Sequence, residues 1–196
     1  MPAQHQPGHH RPRPLTRQGS AIDLPAGARV VELTTHADGR GAFTEVFRQQ
    51  WLPGVPAMVQ SNLSRTHAGG LRGLHFHRRQ ADYWCVLEGS AFVALVDLRA
   101  GSPTQDAIWW DTFDAANGLR GLYVPAGVAH GFLAVTDLTM QYLVDQPFTG
   151  EDEFGIAWND PGLSIPWPHD DPVVSERDTS NPTMADAVQD RPPFVA

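Results

Sequence analysis

The chain has 196 residues and a formal net charge of −8 at pH 7, which suits a single domain with a sizeable core. An acidic chain argues against a nucleic-acid partner, because such proteins carry clustered positive charge. All 14 basic residues are arginine, which excludes Schiff-base chemistry on a lysine side chain and a lysine-dependent phosphate loop. An anionic ligand would therefore be held by arginine, whose planar guanidinium meets phosphate oxygens in pairs.

The two ends of the chain differ in composition from its middle. Residues 1–24 are rich in proline, histidine and arginine and poor in apolar side chains, so we predict a disordered N-terminal arm. A single domain is predicted over residues 25–182, followed by a flexible tail over 183–196. No apolar run approaches the roughly 18 residues of a membrane span, and the N-terminus lacks the apolar core of a signal peptide. We therefore expect a cytoplasmic protein without a membrane partner.

Short β-strands are predicted through the domain, separated by turn signals at regular spacing. The predicted strands are residues 28–33, 42–48, 58–64, 69–77, 83–87, 90–98, 108–113, 119–124, 130–135 and 138–144. The last two are predicted to pair with each other. Residues 36–41 are predicted as a turn, and residues 175–178 as a short helical turn. Residues 151–153 and 158–168 are predicted as loops over the barrel mouth. No amphipathic helix of useful length lies between the strands. This pattern predicts an all-β sandwich or small barrel.

Ionisable side chains recur at spacings that bring them together. His75 and His77 lie two residues apart in a predicted strand and must project from the same face. The next apolar run is predicted to return antiparallel and bring Asp82 beside them, and His130 follows a Pro/Gly turn at the start of another strand. Such groups inside an apolar barrel cost several kcal/mol unless they pair with one another, a metal or a substrate. The spacing therefore predicts a functional site.

Five short motifs occur in order along the chain: DGRGAFTE at 38–45, QSNLS at 60–64, LRGLHF at 71–76, PAGVAHGF at 125–132, and WNDP with IPWP within 158–168. In these motifs the chain, from Arg29 to Asp178, resembles the dTDP-4-dehydrorhamnose 3,5-epimerase family of the cupin superfamily. The resemblance implies a cupin jelly-roll sandwich or barrel with short C-terminal helical or loop segments. It also implies a homodimer with strand exchange, in which the strand 42–48 reaches the partner.

The resemblance implies proton transfer next to the 4-keto group of a dTDP-linked 6-deoxyhexose, with no cofactor. By motif position His75 is the base, Asp178 orients it, and Tyr142 is the acid that reprotonates the opposite face. Epimerisation at carbon 3, carbon 5 or both remains open. By the same resemblance, the substrate-binding residues are Arg40, Arg72 and Arg177 on the diphosphate, and Phe43, Glu45, Gln60, Asn62 and His130 around the nucleotide and sugar.

Three positions depart from the family pattern and support an alternative. His77 replaces a glutamine, Asp82 replaces a lysine thought to stabilise the enolate, and Phe148 replaces a second tyrosine. The first two changes also complete the spacing of a cupin metal motif. In that alternative a divalent transition metal is held by His75, His77, Asp82 and His130 in a metal-dependent oxygenase, lyase or isomerase. A third interpretation is a binding protein that keeps the nucleotide-sugar pocket without turnover.

Overall fold

A computed structural model of the chain describes residues 24–187, 189 and 191–195, so nearly all of the predicted N-terminal arm lies outside the described residues. Within that range the chain is built mainly from strands, with 3₁₀ turns at Gln49–Trp51 and Ala115–Asn117. The strands are β1 Arg29–Glu32, β2 Thr35–Asp38, β3 Gly41–Thr44, β4 Gln60–Thr66, β5 Gly70–Phe76, β6 Asp82–Glu88, β7 Ser90–Asp97, β8 Ile108–Asp114, β9 Arg120–Val124, β10 Val128–Ala134, β11 Leu138–Val144, β12 Phe154–Gly155 and β13 Val173–Val174. Two short helices follow, α1 Glu176–Thr179 and α2 Met184–Ala187.

Two antiparallel sheets form the body of the protein. The five-stranded sheet has the order β1-β9-β6-β11-β4, and the six-stranded sheet has the order β12-β5-β10-β7-β8, with β13 added in parallel to β5. Alternate residues of β7 face opposite sides: Val93 and Leu95 enter the core between the sheets, whereas Phe92 packs in a second apolar cluster. The predicted all-β sandwich is confirmed.

From β4 to β7, and again from β8 to β12, consecutive strands lie in different sheets, which corrects two predicted strand pairs. We expected β5 to pair with β6, but β5 pairs with β10 and β12, whereas β6 pairs with β9 and β11. The predicted pairing of β10 with β11 is wrong for the same reason. Both members of each pair carry an apolar face that must enter the shared core, and their connections turn a corner of the sandwich. Asp82 therefore reaches the histidines across the interior.

The N-terminal hairpin differs from the predicted turn and strand. Strand β2 includes the first half of the predicted turn and pairs with β3 in a separate two-stranded sheet. Strand β3 ends at Thr44 instead of residue 48, because the chain then leads into the 3₁₀ turn. The hairpin is exposed along both strands, and Phe43 is 69% exposed.

The C-terminal segment covers the outer face of the six-stranded sheet. Ile156 and Leu163 are buried in the cluster on that face, and the Trp167 ring contacts Phe92 edge to face. Residues 158–168 therefore lie on the sheet and not over the barrel mouth as predicted. The described residues of 183–196, predicted as a flexible tail, also lie against the domain: Ala187 is buried, and Pro193 forms a β-bridge with Ala100.

The predicted helical turn after Ser175 is present as α1, and the Ser175 side chain caps its N-terminus. Among the described residues, no helix is long and apolar enough to cross a membrane. The cytoplasmic location stays a prediction.

Candidate active site

A cavity of about 430 Å³ opens between the two sheets. Strands β5 and β10 bring His75 and His130 to one wall, and β4, β6 and β11 form the facing wall. His75 and His130 are direct neighbours in the pairing of β5 with β10. The sequence-predicted residues that line this cavity are Gln60, Asn62, Arg72, His75, His77, Asp82, His130, Tyr142 and Arg177.

His75 and Asp178 form a hydrogen-bonded pair at the edge of the cavity. The His75 Nε2 atom lies 2.6 Å from Asp178 Oδ1, and the buried Asp178 carboxylate also accepts the backbone N–H of Gly73 at 3.2 Å. Burial opposes ionisation of Asp178, but hydrogen bonds from His75, Gly73 and Ser175 outweigh it and lower the pKa of this carboxyl. An ionised carboxylate only accepts hydrogen bonds, so His75 Nε2 carries the proton and Nδ1 holds the lone pair. This arrangement suits a general base.

Tyr142 lies on the opposite wall, in β11 of the five-stranded sheet. Burial raises the pKa of its hydroxyl, and the nearby Asp82 carboxylate raises it further, more than Arg72 lowers it. Tyr142 is therefore protonated near neutral pH and able to donate. A ligand between the sheets would have His75 on one face and Tyr142 on the other.

His77, Asp82 and His130 form a second, buried group. His130 Nε2 lies 3.7 Å from Asp82 Oδ2, and one potential ligand atom from each residue lies within 4.8 Å of the other two. Burial lowers the pKa of His130 to about 4 despite the opposing charge of Asp82. The predicted convergence is present for these three residues. His75 lines the same cavity but is engaged by Asp178, so the four-ligand set of the metal alternative is reduced to three.

The predicted binding residues divide between two places. Arg72 and Arg177 line the cavity, where Arg177 Nη1 pairs with Glu153 and Arg72 Nε donates to Thr66 Oγ1 at 3.2 Å. Arg40, Phe43 and Glu45 belong to the hairpin or the residue after it and are not part of this cavity wall. The Arg40 side chain is 91% exposed and pairs with Asp38. A single chain therefore does not bring the whole predicted binding set together.

Residues 151–153, predicted as a loop over the barrel mouth but without individual roles, also shape the site, as does Trp84. The Asp152 carboxylate accepts the backbone N–H groups of Arg78 and Arg79 at 2.9 Å, and its carbonyl accepts the His77 Nδ1–H at 2.7 Å. Trp84 lines the cavity and donates its indole N–H to Asp82 Oδ2 at 3.1 Å. Asp152 acts across a separation of about 75 residues, so no local pattern identifies it. The two-residue spacing of Asp82 and Trp84 on one strand face was the available signal for Trp84.

The chain is similar to known proteins over most of its length. A family model described as dTDP-4-dehydrorhamnose 3,5-epimerase matches residues 24–186. The dTDP-4-dehydrorhamnose 3,5-epimerase of Streptomyces griseus is 37% identical over 183 residues, covering 89% of this chain and 86% of that protein. The solved rmlC epimerase of Mycobacterium tuberculosis has a TM-score of 0.82 at 33% identity and covers 90% of this chain and 94% of that chain. A 3'-monoepimerase from Streptomyces bikiniensis, solved in complex with dTDP-quinovose, has a TM-score of 0.79 at 32% identity, covering 89% of this chain and 91% of that chain.

The family match spans the two sheets and the segment that supplies Asp178. It supports the epimerase interpretation and not a metal-dependent cupin of another reaction class. The cavity, the His75–Asp178 pair and the facing Tyr142 occur within this matched region. The chain belongs to the dTDP-4-dehydrorhamnose 3,5-epimerase family and has its cupin jelly-roll fold.

Proposed function

We propose that this protein is an isomerase that epimerises a dTDP-linked 4-keto-6-deoxyhexose, at carbon 3, carbon 5 or both, in deoxysugar biosynthesis. The observation that carries the proposal is the placement of a carboxylate-oriented imidazole and a protonated phenol on facing walls of one cavity. Inversion of a carbon requires that a proton leave one face and return to the other. The relatives named above support the same substrate class.

In the proposed reaction His75 Nδ1 removes the proton from the carbon next to the keto group, and the electron pair moves to the keto oxygen. Asp178 stabilises the resulting imidazolium and keeps the ring oriented. Tyr142 then delivers its proton to the opposite face of the carbon. The inverted sugar leaves, and proton exchange with water resets both side chains.

Arg72 and Arg177 are proposed to bind the diphosphate at the cavity mouth, because guanidinium groups pair with phosphate oxygens in two-point contacts. We further propose a homodimer in which the β2–β3 hairpin of the partner supplies Arg40, Phe43 and Glu45. Their exposure in a single chain supports this assembly. In the dimer, the cavity residues of one chain and the hairpin residues of its partner would together form the predicted substrate-binding site.

Nucleotide binding is tested by thermal unfolding with and without dTDP. A ligand that binds only the folded state raises the midpoint by mass action, so millimolar dTDP should raise it in the wild type. Arg72→Ala should abolish the rise, whereas Arg65→Ala should keep it, because Arg65 is exposed on β4 and does not line the cavity. No midpoint shift with dTDP in the wild type would contradict the nucleotide-sugar proposal.

Proton abstraction is tested by deuterium uptake from D₂O into a dTDP-4-keto-6-deoxyhexose. His75→Ala and Asp178→Asn should each slow uptake by orders of magnitude, through loss of the base or of its orienting carboxylate. His67→Ala serves as the control, because the His67 side chain is fully exposed outside the cavity. Unchanged uptake in His75→Ala would assign the base elsewhere.

A further inference from the structure

We propose that His77, Asp82 and His130 bind one divalent transition-metal ion inside the cavity, next to the His75–Asp178 pair. The three residues come from the turn after β5, from β6 and from β10, so the site forms only when the two sheets close on each other. All three are buried, at 5%, 4% and 5% exposure respectively. They are not neighbours on a strand, and their meeting is therefore a property of the fold.

The separations fit a metal site. A metal bound to nitrogen and oxygen at about 2.1 Å has neighbouring ligand atoms roughly 3 to 4 Å apart. His130 Nε2 and Asp82 Oδ2 are 3.7 Å apart, and the three ligand atoms lie within 4.8 Å of one another. The His77 and His130 ring centroids are 5.4 Å apart. Small side-chain adjustments would bring all three atoms to bonding distance.

The hydrogen bonds of both histidines use Nδ1 and leave Nε2 available as a ligand atom. His77 Nδ1 bonds to the Asp152 carbonyl at 2.7 Å, and His130 Nδ1 bonds to the Val128 carbonyl at 2.9 Å. A carbonyl only accepts, so Nδ1 is the N–H donor in both rings, and in a neutral imidazole of this tautomer Nε2 holds the lone pair. Among the described residues, no hydrogen-bond donor reaches either Nε2 atom within bonding distance. Backbone carbonyls that orient histidines in this way are typical supports of metal ligands.

The carboxylate is supported in the same manner. Gln80 Nε2 donates to Asp82 Oδ1 at 2.8 Å, and Trp84 Nε1 donates to Oδ2. These bonds hold the carboxylate in place, while Oδ2 still faces the His130 lone pair at 3.7 Å without a proton between them. Two imidazoles and a carboxylate therefore face one another in the cavity wall, where a cation would bind to all three.

Two imidazoles and one carboxylate suit Zn²⁺, Mn²⁺, Fe²⁺ or Ni²⁺ and leave at least one coordination position open to the cavity. Such an ion supplies a positive charge that polarises a carbonyl oxygen. This consequence rests on the proposed epimerase function, because it requires a keto sugar in the cavity. The binding site itself does not depend on that function.

The test is a calorimetric titration of the chelator-treated full chain with ZnCl₂ and, separately, MnCl₂. One equivalent of at least one ion should bind. His77→Gln and His130→Gln should each weaken that binding by at least about tenfold, because each removes a ligand. A variant with His5, His9 and His10 all replaced by glutamine controls for the histidines near the N-terminus and should keep the site. His67→Gln, an exposed substitution outside the cluster, should also keep it.

Zinc-edge X-ray absorption on the loaded wild type provides a readout that does not depend on a variant folding. Two imidazole nitrogens in the first coordination shell support the proposal, whereas a shell of oxygen alone overturns it. Absence of binding, or full binding retained in both His77→Gln and His130→Gln, also overturns it. A dTDP midpoint shift without metal binding would reject this site and leave the epimerase proposal intact. One equivalent of bound metal without a dTDP midpoint shift would support the metal site and contradict the nucleotide-sugar proposal.

Discussion

Asp97 is a completely buried carboxylate at the end of β7, and its charge is balanced by a local network. Arg99 pairs with it at 2.7 Å, and the Ser102 and Thr104 hydroxyls donate at 2.6 and 2.7 Å. Burial opposes ionisation, but these bonds together lower the pKa of Asp97. The ionised form therefore stabilises the fold.

Asp97→Asn should lower the free energy of unfolding by about 3–5 kcal/mol, because it leaves the buried Arg99 guanidinium without its counter-charge. Urea unfolding at neutral pH measures the change. Asp38→Asn provides a matched control, since its partner Arg40 is 91% exposed and such surface pairs contribute about 0–1 kcal/mol. Equal losses in the two variants would contradict the role of burial.

The same pair predicts a pH dependence of stability. Because the folded-state pKa of Asp97 is below its unfolded value of about 3.9, its contribution is complete above that value and is lost as pH falls through the folded pKa. Urea unfolding of the wild type should show a loss of stability below about pH 4. In Asp97→Asn the free energy of unfolding should fall less over the same pH range. An equal fall in both proteins would refute the contribution of Asp97.

At the scale of elements, β6 and β9 pack without room for a side chain at one position. A Cβ at Gly121 in β9 would collide with the ring and hydroxyl of Tyr83 in β6. Tyr83 is completely buried and its hydroxyl donates to the Val46 carbonyl at 3.0 Å, so the ring has no free space to move into. The close approach of the two strands therefore depends on glycine at residue 121.

Gly121→Ala should destabilise the fold by about 1–3 kcal/mol, the usual cost of overpacking a core. Gly39→Ala is the control, because nothing lies within 4 Å of a Cβ at that position and its backbone is not left-handed. Thermal midpoints compare the two variants. A Gly121→Ala midpoint equal to that of the wild type would show that Tyr83 moves aside.

The elements also show what sequence can predict. Period-two alternation placed most strands, because it depends only on which residues face the core. The alternation did not show which sheet each strand joins. Two consecutive pairs, β5 with β6 and β10 with β11, have the pattern of a hairpin, but the two strands of each pair lie in different sheets.

The same limit applies to the site. Spacing predicted the meeting of His77, Asp82 and His130, because the apolar interior restricts where polar groups converge. The partner of His75 is 103 residues away and came only from the resemblance to a known family. Asp152 was placed near the barrel mouth, but its role was not predicted, because its carboxylate binds backbone N–H groups of the β5–β6 turn and such contacts have no sequence periodicity.

For the whole molecule, exposed apolar residues predict self-association. Phe43 on the hairpin is 69% exposed. Val59, which precedes the edge strand β4, and Leu63, within that strand, are 59% and 54% exposed. Exposed apolar groups at a sheet edge are an aggregation hazard unless a partner covers them. A symmetric dimer would cover them.

Light scattering at micromolar concentration should give twice the 21.5 kDa chain mass. Phe43→Asp should shift the protein toward the monomer, because a charge would be buried at the interface. Val195→Asp is the control, since Val195 is 81% exposed in the C-terminal segment and a charge there should leave the dimer unchanged. A monomeric wild type would reject the exchange of hairpins and the shared site.

The position of Asp178 within the C-terminal segment has a consequence for the order in which the protein acquires activity during synthesis. The strand that carries His75 is made early, but its carboxylate partner follows 103 residues later, after the segment that covers the outer face of the six-stranded sheet has begun to form. In the proposed mechanism, a nascent chain that has completed both walls of the cavity would still lack the carboxylate that orients His75. Competence for proton transfer would then arrive only with the segment that covers the sheet.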